Sequence, residues 1–269
     1  MSVATPASRL AAAFARREPD SLPGLIPFVT AGFPNRDDTP ALLAAIEAAG
    51  CLAAEVGIPF SDPLADGPTI QRASQQALAN GVTVSRALAA VAEARDRGLT
   101  IPVAFMTYVN PVLAYGLERF CAAAAEVGAE AVIVPDLPDD EAAQLRDAAD
   151  AAGLALILLV APTTTAARLE AACRRATGFV YCVSVTGVTG ARAHISQEAI
   201  DLLARVRTVT TLPRALGFGL SRHEHVRALR GRAEAAVVAS ALIDRIGQTP
   251  NAPVAATERF LAEMLGESR

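Results

Sequence analysis

The 269-residue sequence has no lysine, no tryptophan, three histidines and four cysteines, and aromatic residues make up only 4% of it. Each scarcity removes a class of chemistry. Without lysine there is no side-chain amine to form a Schiff base with a carbonyl substrate or to hold pyridoxal phosphate covalently, because the arginine guanidinium stays protonated. The only imidazoles are His194, His223 and His225, and none stands at i, i+4 from another, the spacing of a helical metal-binding pair. Cys51, Cys121, Cys173 and Cys182 form no C-x-x-C pair and read as reduced core residues. No metal and no cofactor is expected. A net charge of −4 lacks the basic excess that nucleic-acid backbones require. No apolar run approaches the roughly 20 residues of a membrane span. The stretch Met1 to Glu18 carries Arg9, Arg16 and Arg17 without the apolar core or cleavage pattern of a secretory signal. A cytoplasmic protein with no nucleic-acid or membrane partner is expected.

What is present is apolar and periodic. Hydrophobic residues make up 52% of the chain and charged residues 19%, ample for a core, and the length suits one closed α/β barrel. Short β-branched or Leu-rich runs alternate with Ala/Leu/Glu/Arg segments of helical period. The predicted strands are Leu25 to Thr30, Leu52 to Gly57, Pro102 to Thr107, Ala131 to Pro135, Ala155 to Val160, Phe179 to Ser184, Arg214 to Phe218 and Ala235 to Ala239. Predicted helices include Pro40 to Ala49, Val84 to Arg97, Asp139 to Ala152, Thr165 to Arg175, Gln197 to Arg207 and His223 to Arg230. Eight successive β-then-α units predict an α/β protein, a single (β/α)8 TIM barrel over 1–269. An extra N-terminal helix, roughly Ala7 to Arg17, is expected to cover the barrel bottom. The longest connection, Ile58 to Thr83, leaves the C-terminal end of strand two, where barrel enzymes build their sites, and is expected to be a functional loop.

Within that connection Gly57-Ile-Pro-Phe-Ser-Asp-Pro-Leu-Ala-Asp-Gly-Pro-Thr-Ile-Gln71 joins three prolines, which stiffen the backbone, to two free carboxylates. Asp62 before Pro63 and Asp66 before Gly67 also fit plain turn chemistry. Glu55 is different, an ionisable residue embedded in an apolar strand near its C-terminal end. It is either a paired buried ion or a carboxyl whose pKa is raised towards neutrality and suits proton transfer. With Asp66 it forms the best acid/base pair in the chain, and two environments permit two roles.

Ala54-Glu55-Val56-Gly57 running into Ile58-Pro59-Phe60-Ser61-Asp62-Pro63-Leu64-Ala65-Asp66-Gly67-Pro68 resembles the signature of the tryptophan synthase alpha chain family. Similarity continues through Pro27 to Gly32, Met106 to Pro111, Pro135 to Pro138, Tyr181 to Gly190 and Gly217 to Gly219, and covers nearly the whole chain. The resemblance implies retro-aldol cleavage of indole-3-glycerol phosphate to indole and glyceraldehyde 3-phosphate. Glu55 would protonate the ring carbon that loses the side chain, and Asp66 would accept from the indole N–H. Tyr181 would lie near the reacting glycerol hydroxyl, a place that core packing alone also explains. Thr189 would hold Asp66 on loop closure. Phosphate would meet Gly219, Ala239 and Ser240 in the loops after strands seven and eight, with Gly190 approaching from loop six. Phe28, Met106, Tyr108, Ile133 and Phe218 would line the indole pocket, although such an apolar stripe also fits plain core. The implied partner is a tryptophan synthase beta chain in an α2β2 heterotetramer, met near Asp62, Pro63, Asn110 and Pro138.

Two departures stand out. The family usually has Gly-Ser after strand eight where this chain has Ala239-Ser240, preceded by Arg232-Ala-Glu-Ala-Ala236 in place of a Gly-rich approach. A positive φ at Ala239 would displace the phosphate amides, whereas a negative φ preserves them. Arg214 begins strand seven where an apolar residue is usual, and an altered ion pair at the barrel bottom is expected. Rival readings are a free-standing indole-3-glycerol phosphate lyase, a non-catalytic regulatory subunit and a generic phosphate-binding barrel isomerase. Retention of both Glu55 and Asp66 argues against the regulatory subunit, and the loop from Gly57 to Gln71 against the isomerase.

Overall fold

Nearly every strand residue is buried on whichever face it points to, which is why the strands read as continuous apolar runs and not as alternating ones. The computed structural model describes residues 6–18, 21–184, 195–217 and 219–267. In chain order these form α1 (Pro6–Ala15), β1 (Gly24–Thr30), α2 (Thr39–Ala48), β2 (Ala54–Gly57), α3 (Pro68–Ala79), α4 (Val84–Asp96), β3 (Val103–Met106), α5 (Val109–Tyr115), α6 (Leu117–Glu126) and β4 (Ala131–Ile133). The second half adds α7 (Ala143–Ala152), β5 (Ala155–Val160), α8 (Ala166–Arg175), β6 (Val180–Val183), α9 (Gln197–Val209), β7 (Arg214–Gly217), α10 (His223–Ala228), β8 (Ala235–Val238), α11 (Ser240–Gly247) and α12 (Pro253–Leu265).

The strands pair in sequence order, all in parallel, and β8 pairs with β1 to close the barrel. Each lies where the apolar runs put it, with ends displaced by no more than two residues. Two expectations need correction. The connection from Ile58 to Thr83 is not one long loop, because α3 occupies its second half. Pro68 starts that helix with Gly67 as its N-cap, and Ile70, Ala73 and Ala77 recur at helical spacing to bury one face. In turn, α7 starts at Ala143 and not at Asp139. The carboxylate of Asp139 is held by Arg146 and Arg175, and Glu141 N–H bonds to Pro138 in a turn.

Inside the barrel, alternate residues of each strand meet in one cluster closed from below by Leu10 and Phe14 of α1. Ala104, Ala131, Ala155, Ala215 and Ala235 keep this interior open enough for the rings of Phe179 and Tyr181, whose centroids lie 6.3 Å apart. Phe14 packs on Phe179 at 5.7 Å, so the opening helix covers the bottom as expected. Charges at that end are paired. Glu130, just before β4, is fully buried, bonds to Arg9 and Arg95 and accepts from Val103 N–H at 2.6 Å. Arg214 pairs with Glu234 through Nη2 to Oε1 at 2.5 Å and Nε to Oε2 at 3.1 Å, while its own backbone N–H donates to Glu234 Oε2 at 2.7 Å.

Candidate active site

Ala53 belongs to the barrel interior, so Glu55, two residues further along the strand, projects the same way near the C-terminal mouth. It is 1% exposed, and neither carboxylate oxygen has a hydrogen-bond partner. Its strand neighbours in register are Phe28 and Ala104, which supply no donor from their side chains. Of the two possibilities for Glu55, the structure therefore realises the unpaired one. Burial pushes its carboxyl up to about 8, and the nearby Asp66 charge adds to the shift.

Glycines make room for the rings beside it. A Cβ on Gly57 would stand 2.3 Å from Phe28 Cζ, and one on Gly217 would stand 2.5 Å from Tyr181 Oη. The phenol of Tyr181 is pushed well above its usual range by burial first, then by the charges of Glu55 and Asp66. Tyr181 therefore faces both carboxylates as a neutral hydroxyl. Thr30 Oγ1 and Thr107 Oγ1 at the same mouth are likewise buried with no hydrogen-bond partner.

Asp66 is held by its surroundings on three sides. Its backbone N–H bonds to Pro63 carbonyl at 3.0 Å, and its own carbonyl accepts from Gln71 Nε2 at 2.9 Å. Tyr108 Oη accepts the Ala65 N–H at 3.2 Å and faces the Asp66 carboxylate, offering it a hydrogen bond. Burial pushes the Asp66 carboxyl up to about 6, against the lowering effect of Tyr108. Phe60 packs on the Tyr108 ring at 5.5 Å, which anchors the loop to the strand-three exit. One carboxyl thus stays protonated at neutral pH while its neighbour is ionised, the arrangement that divides acid from anion in one site.

The remaining predicted residues that the structure describes fall at the same end of the barrel. Phe28 and Tyr108 are almost fully buried, Ile133 is fully buried and Met106 is half-buried. Gly219, after β7, and Ser240, the first residue of α11, are exposed, and Ala239 is half-buried. Ala239 has φ −120°, so its methyl group imposes no left-handed strain, while Gly219 takes φ +78°, a value that favours glycine. Asp62, Asn110 and Pro138 are exposed on the rim, whereas Pro63 is buried within its loop. Thr189, Gly190 and Phe218 lie outside the described residues. Sequence reasoning placed Tyr108 in the pocket wall but missed its hydroxyl as a holder of the Asp66 loop. It also missed Gln71 and the glycine notches. Among the described residues no group of three or more His, Cys, Asp or Glu is arranged to hold a metal ion. No helix among them is long and apolar enough to cross a membrane.

Fold and site define a (β/α)8 barrel with a buried carboxyl, Glu55, beside a half-buried one, Asp66, at its C-terminal mouth. The family model for the tryptophan synthase alpha chain matches residues 14–267. The tryptophan synthase alpha chain of Chloroflexus aurantiacus is 50% identical over 243 residues, 90% of this chain and 91% of its own. That of Chloroflexus aggregans is 46% identical over 259 residues, 96% of this chain and 97% of its own. A solved structure of the tryptophan synthase α2β2 complex from the hyperthermophile Pyrococcus furiosus contains a chain that superimposes with a TM-score of 0.86 at 39% identity, covering 90% of this chain and 98% of that one. The chain belongs to the tryptophan synthase alpha chain family.

Proposed function

We propose that this protein is the alpha subunit of a tryptophan synthase, a carbon–carbon lyase that cleaves indole-3-glycerol phosphate to indole and glyceraldehyde 3-phosphate in the cytoplasm and passes indole to a beta chain. The observation that carries the proposal is Glu55, a buried, unpaired carboxyl beside a separately held Asp66. Protonated Glu55 donates to the ring carbon that bears the glycerol chain, which moves positive charge onto the indole nitrogen. Asp66, ionised, accepts from the N–H as that charge develops and so stabilises the intermediate. The carbon–carbon bond then breaks, its electron pair restores the aromatic ring, and the hydroxyl on the departing carbon becomes the aldehyde. The proton that this hydroxyl releases returns to the carboxylate of Glu55, with the neutral Tyr181 hydroxyl close to the same place.

Ser240 at the start of α11, with Ala239 and Gly219, supplies the phosphate end, where exposed backbone amides and the helix dipole favour an anion. The partner surface takes in Asp62, Asn110 and Pro138. Leu64, 90% exposed on the Asp66 loop, and Leu113, 55% exposed on α5, add apolar area to the same rim. The proposal is tested by assaying indole release from indole-3-glycerol phosphate by the purified chain, alone and with a cognate beta chain. Release stimulated by a co-purifying beta chain is expected. Fast release without any complex would instead establish a free-standing lyase, and no release in either condition would overturn the reading.

A further inference from the structure

We infer that Asp244 is a positioning residue that ties the helix at the phosphate end of the site to the loop that carries Asp66, an inference that rests on the function proposed above. α11 begins at Ser240, and Asp244 stands one turn along it on the same face. α3 begins at Pro68, two residues after Asp66. Between them, Thr69 Oγ1 lies 3.0 Å from Asp244 Oδ1 and 3.1 Å from Oδ2, sharing one hydrogen with both oxygens. Arg72 Nη2 completes the cluster, donating to Asp244 Oδ1 at 3.1 Å and to Thr69 Oγ1 at 3.3 Å.

This cluster is poorly suited to holding the fold together. The side chains of Arg72 and Asp244 are 65% and 44% exposed, and an ion pair so open to solvent contributes little stability. What it supplies is register between two helices. Asp244 places its carboxylate at the N-terminal turn of α3, where the helix dipole favours an anion. The same turn holds Asp66 from the other side, because Gln71 Nε2 donates to the Asp66 carbonyl and Gln71 N–H bonds to Gly67 carbonyl at 3.0 Å. The chain of contacts from Ser240 to Asp66 is therefore continuous: along one turn of α11 to Asp244, across to Thr69, and back through the first turn of α3. A phosphate bound at Ser240 restrains α11, and through Thr69 it restrains the anion that meets the indole N–H. Binding at the two ends of the substrate is thereby coupled, and by thermodynamic necessity the coupling is the same in both directions.

The test uses the full chain with inorganic phosphate and indole as separate probes. Saturating phosphate is expected to tighten indole binding by about fivefold in the unaltered protein. Thr69→Val and Asp244→Asn are expected to bind each probe alone as before but to lose the coupling, and Thr69→Ser to regain it. In turnover, Thr69→Val raises KM for indole-3-glycerol phosphate by about the same fivefold factor, because the substrate carries both ends, and Thr69→Ser returns it to the value of the unaltered protein. A merely structural role would lower the melting temperature and leave the coupling factor untouched. Wild-type coupling in Thr69→Val, absence of coupling in the unaltered protein, or failure of Thr69→Ser to restore it would overturn the inference. Glu55-dependent indole release by the unaltered protein would stand in any of these cases, so the lyase reading is judged separately.

Discussion

Glu55 and Asp66 share one buried mouth yet release their protons at different pH, about 8 for the first and about 6 for the second. The difference has structural causes: Glu55 is the more deeply buried and also feels the Asp66 charge, with no donor at either oxygen, whereas Tyr108 offers a hydrogen bond to the half-buried Asp66. Below about 6 Asp66 gains a proton and loses the charge that meets the indole N–H. Above about 8 Glu55 loses the proton that it donates. The pH profile of kcat/KM for indole release is expected to be bell-shaped, with its plateau between these limits, which belong to the pair as a coupled system. A profile with no fall on either side would contradict the assignment of roles.

Tyr108→Phe removes the donor that holds Asp66 down and leaves the Ala65 N–H without its partner. The acid limb of the profile is expected to move to higher pH and kcat/KM to fall about tenfold, the scale of one lost hydrogen bond to a charged group. An unmoved acid limb would show that Tyr108 only fills space.

Glu55 trades stability for function. Below its ordinary value of 4.5 the carboxyl is protonated in folded and unfolded chains alike, and it contributes no difference. Above 4.5 the unfolded chain ionises while the folded one keeps its proton, so the cost to stability grows until about 8 and then levels off. Glu55→Gln is expected to be inactive yet more stable, by on the order of 4 kcal/mol above pH 8 and by little near pH 4.5. Denaturant titrations at the two pH values check this, and an equal gain at both would contradict it.

At the opposite end of the barrel, Glu234→Ala leaves the Arg214 guanidinium, 10% exposed, without its partner. A loss of about 2 kcal/mol is expected, less than for a fully enclosed pair because Glu234 is 39% exposed. The double variant Arg214→Leu with Glu234→Ala is expected to recover most of it. Indole release should be unchanged in both, since the pair lies at the bottom of the barrel. Loss of activity with full stability would mean that the pair reaches the site.

Gly217→Ala would place a methyl group against the Tyr181 ring. The fold is expected to survive and indole release to fall at least about tenfold as Tyr181 is driven from its place beside Glu55. Full activity would remove Tyr181 from the mechanism.

The barrel was legible because strands buried on both faces leave uninterrupted apolar runs, and strand ends moved by only one or two residues. Helix α3 was not, since its polar Gln and Arg positions follow a turn-rich segment and its buried face mixes Ser74 with Ile70, Ala73 and Ala77. The start of α7 was misplaced because the Asp139 carboxylate binds Arg146, inside α7, and Arg175, on α8 and distant in sequence. Arg214 and the Arg232 to Ala236 segment read as two unrelated departures, yet Glu234 inside that segment is the partner of Arg214. The carboxyl pair could be named from its spacing and its resemblance, but whether Glu55 was paired, and which hydroxyl held Asp66, depended on side chains from other strands.

The most direct measurement is single-turnover indole release from indole-3-glycerol phosphate at neutral pH by the unaltered protein, Glu55→Gln and Asp66→Asn, all shown to be folded. If Glu55 is the proton donor and Asp66 the anion that meets the indole nitrogen, each substitution reduces the cleavage rate by at least about a hundredfold, the scale of a positioned acid or base, while the substrate still binds. Cleavage by Glu55→Gln at the rate of the unaltered protein would contradict that assignment outright.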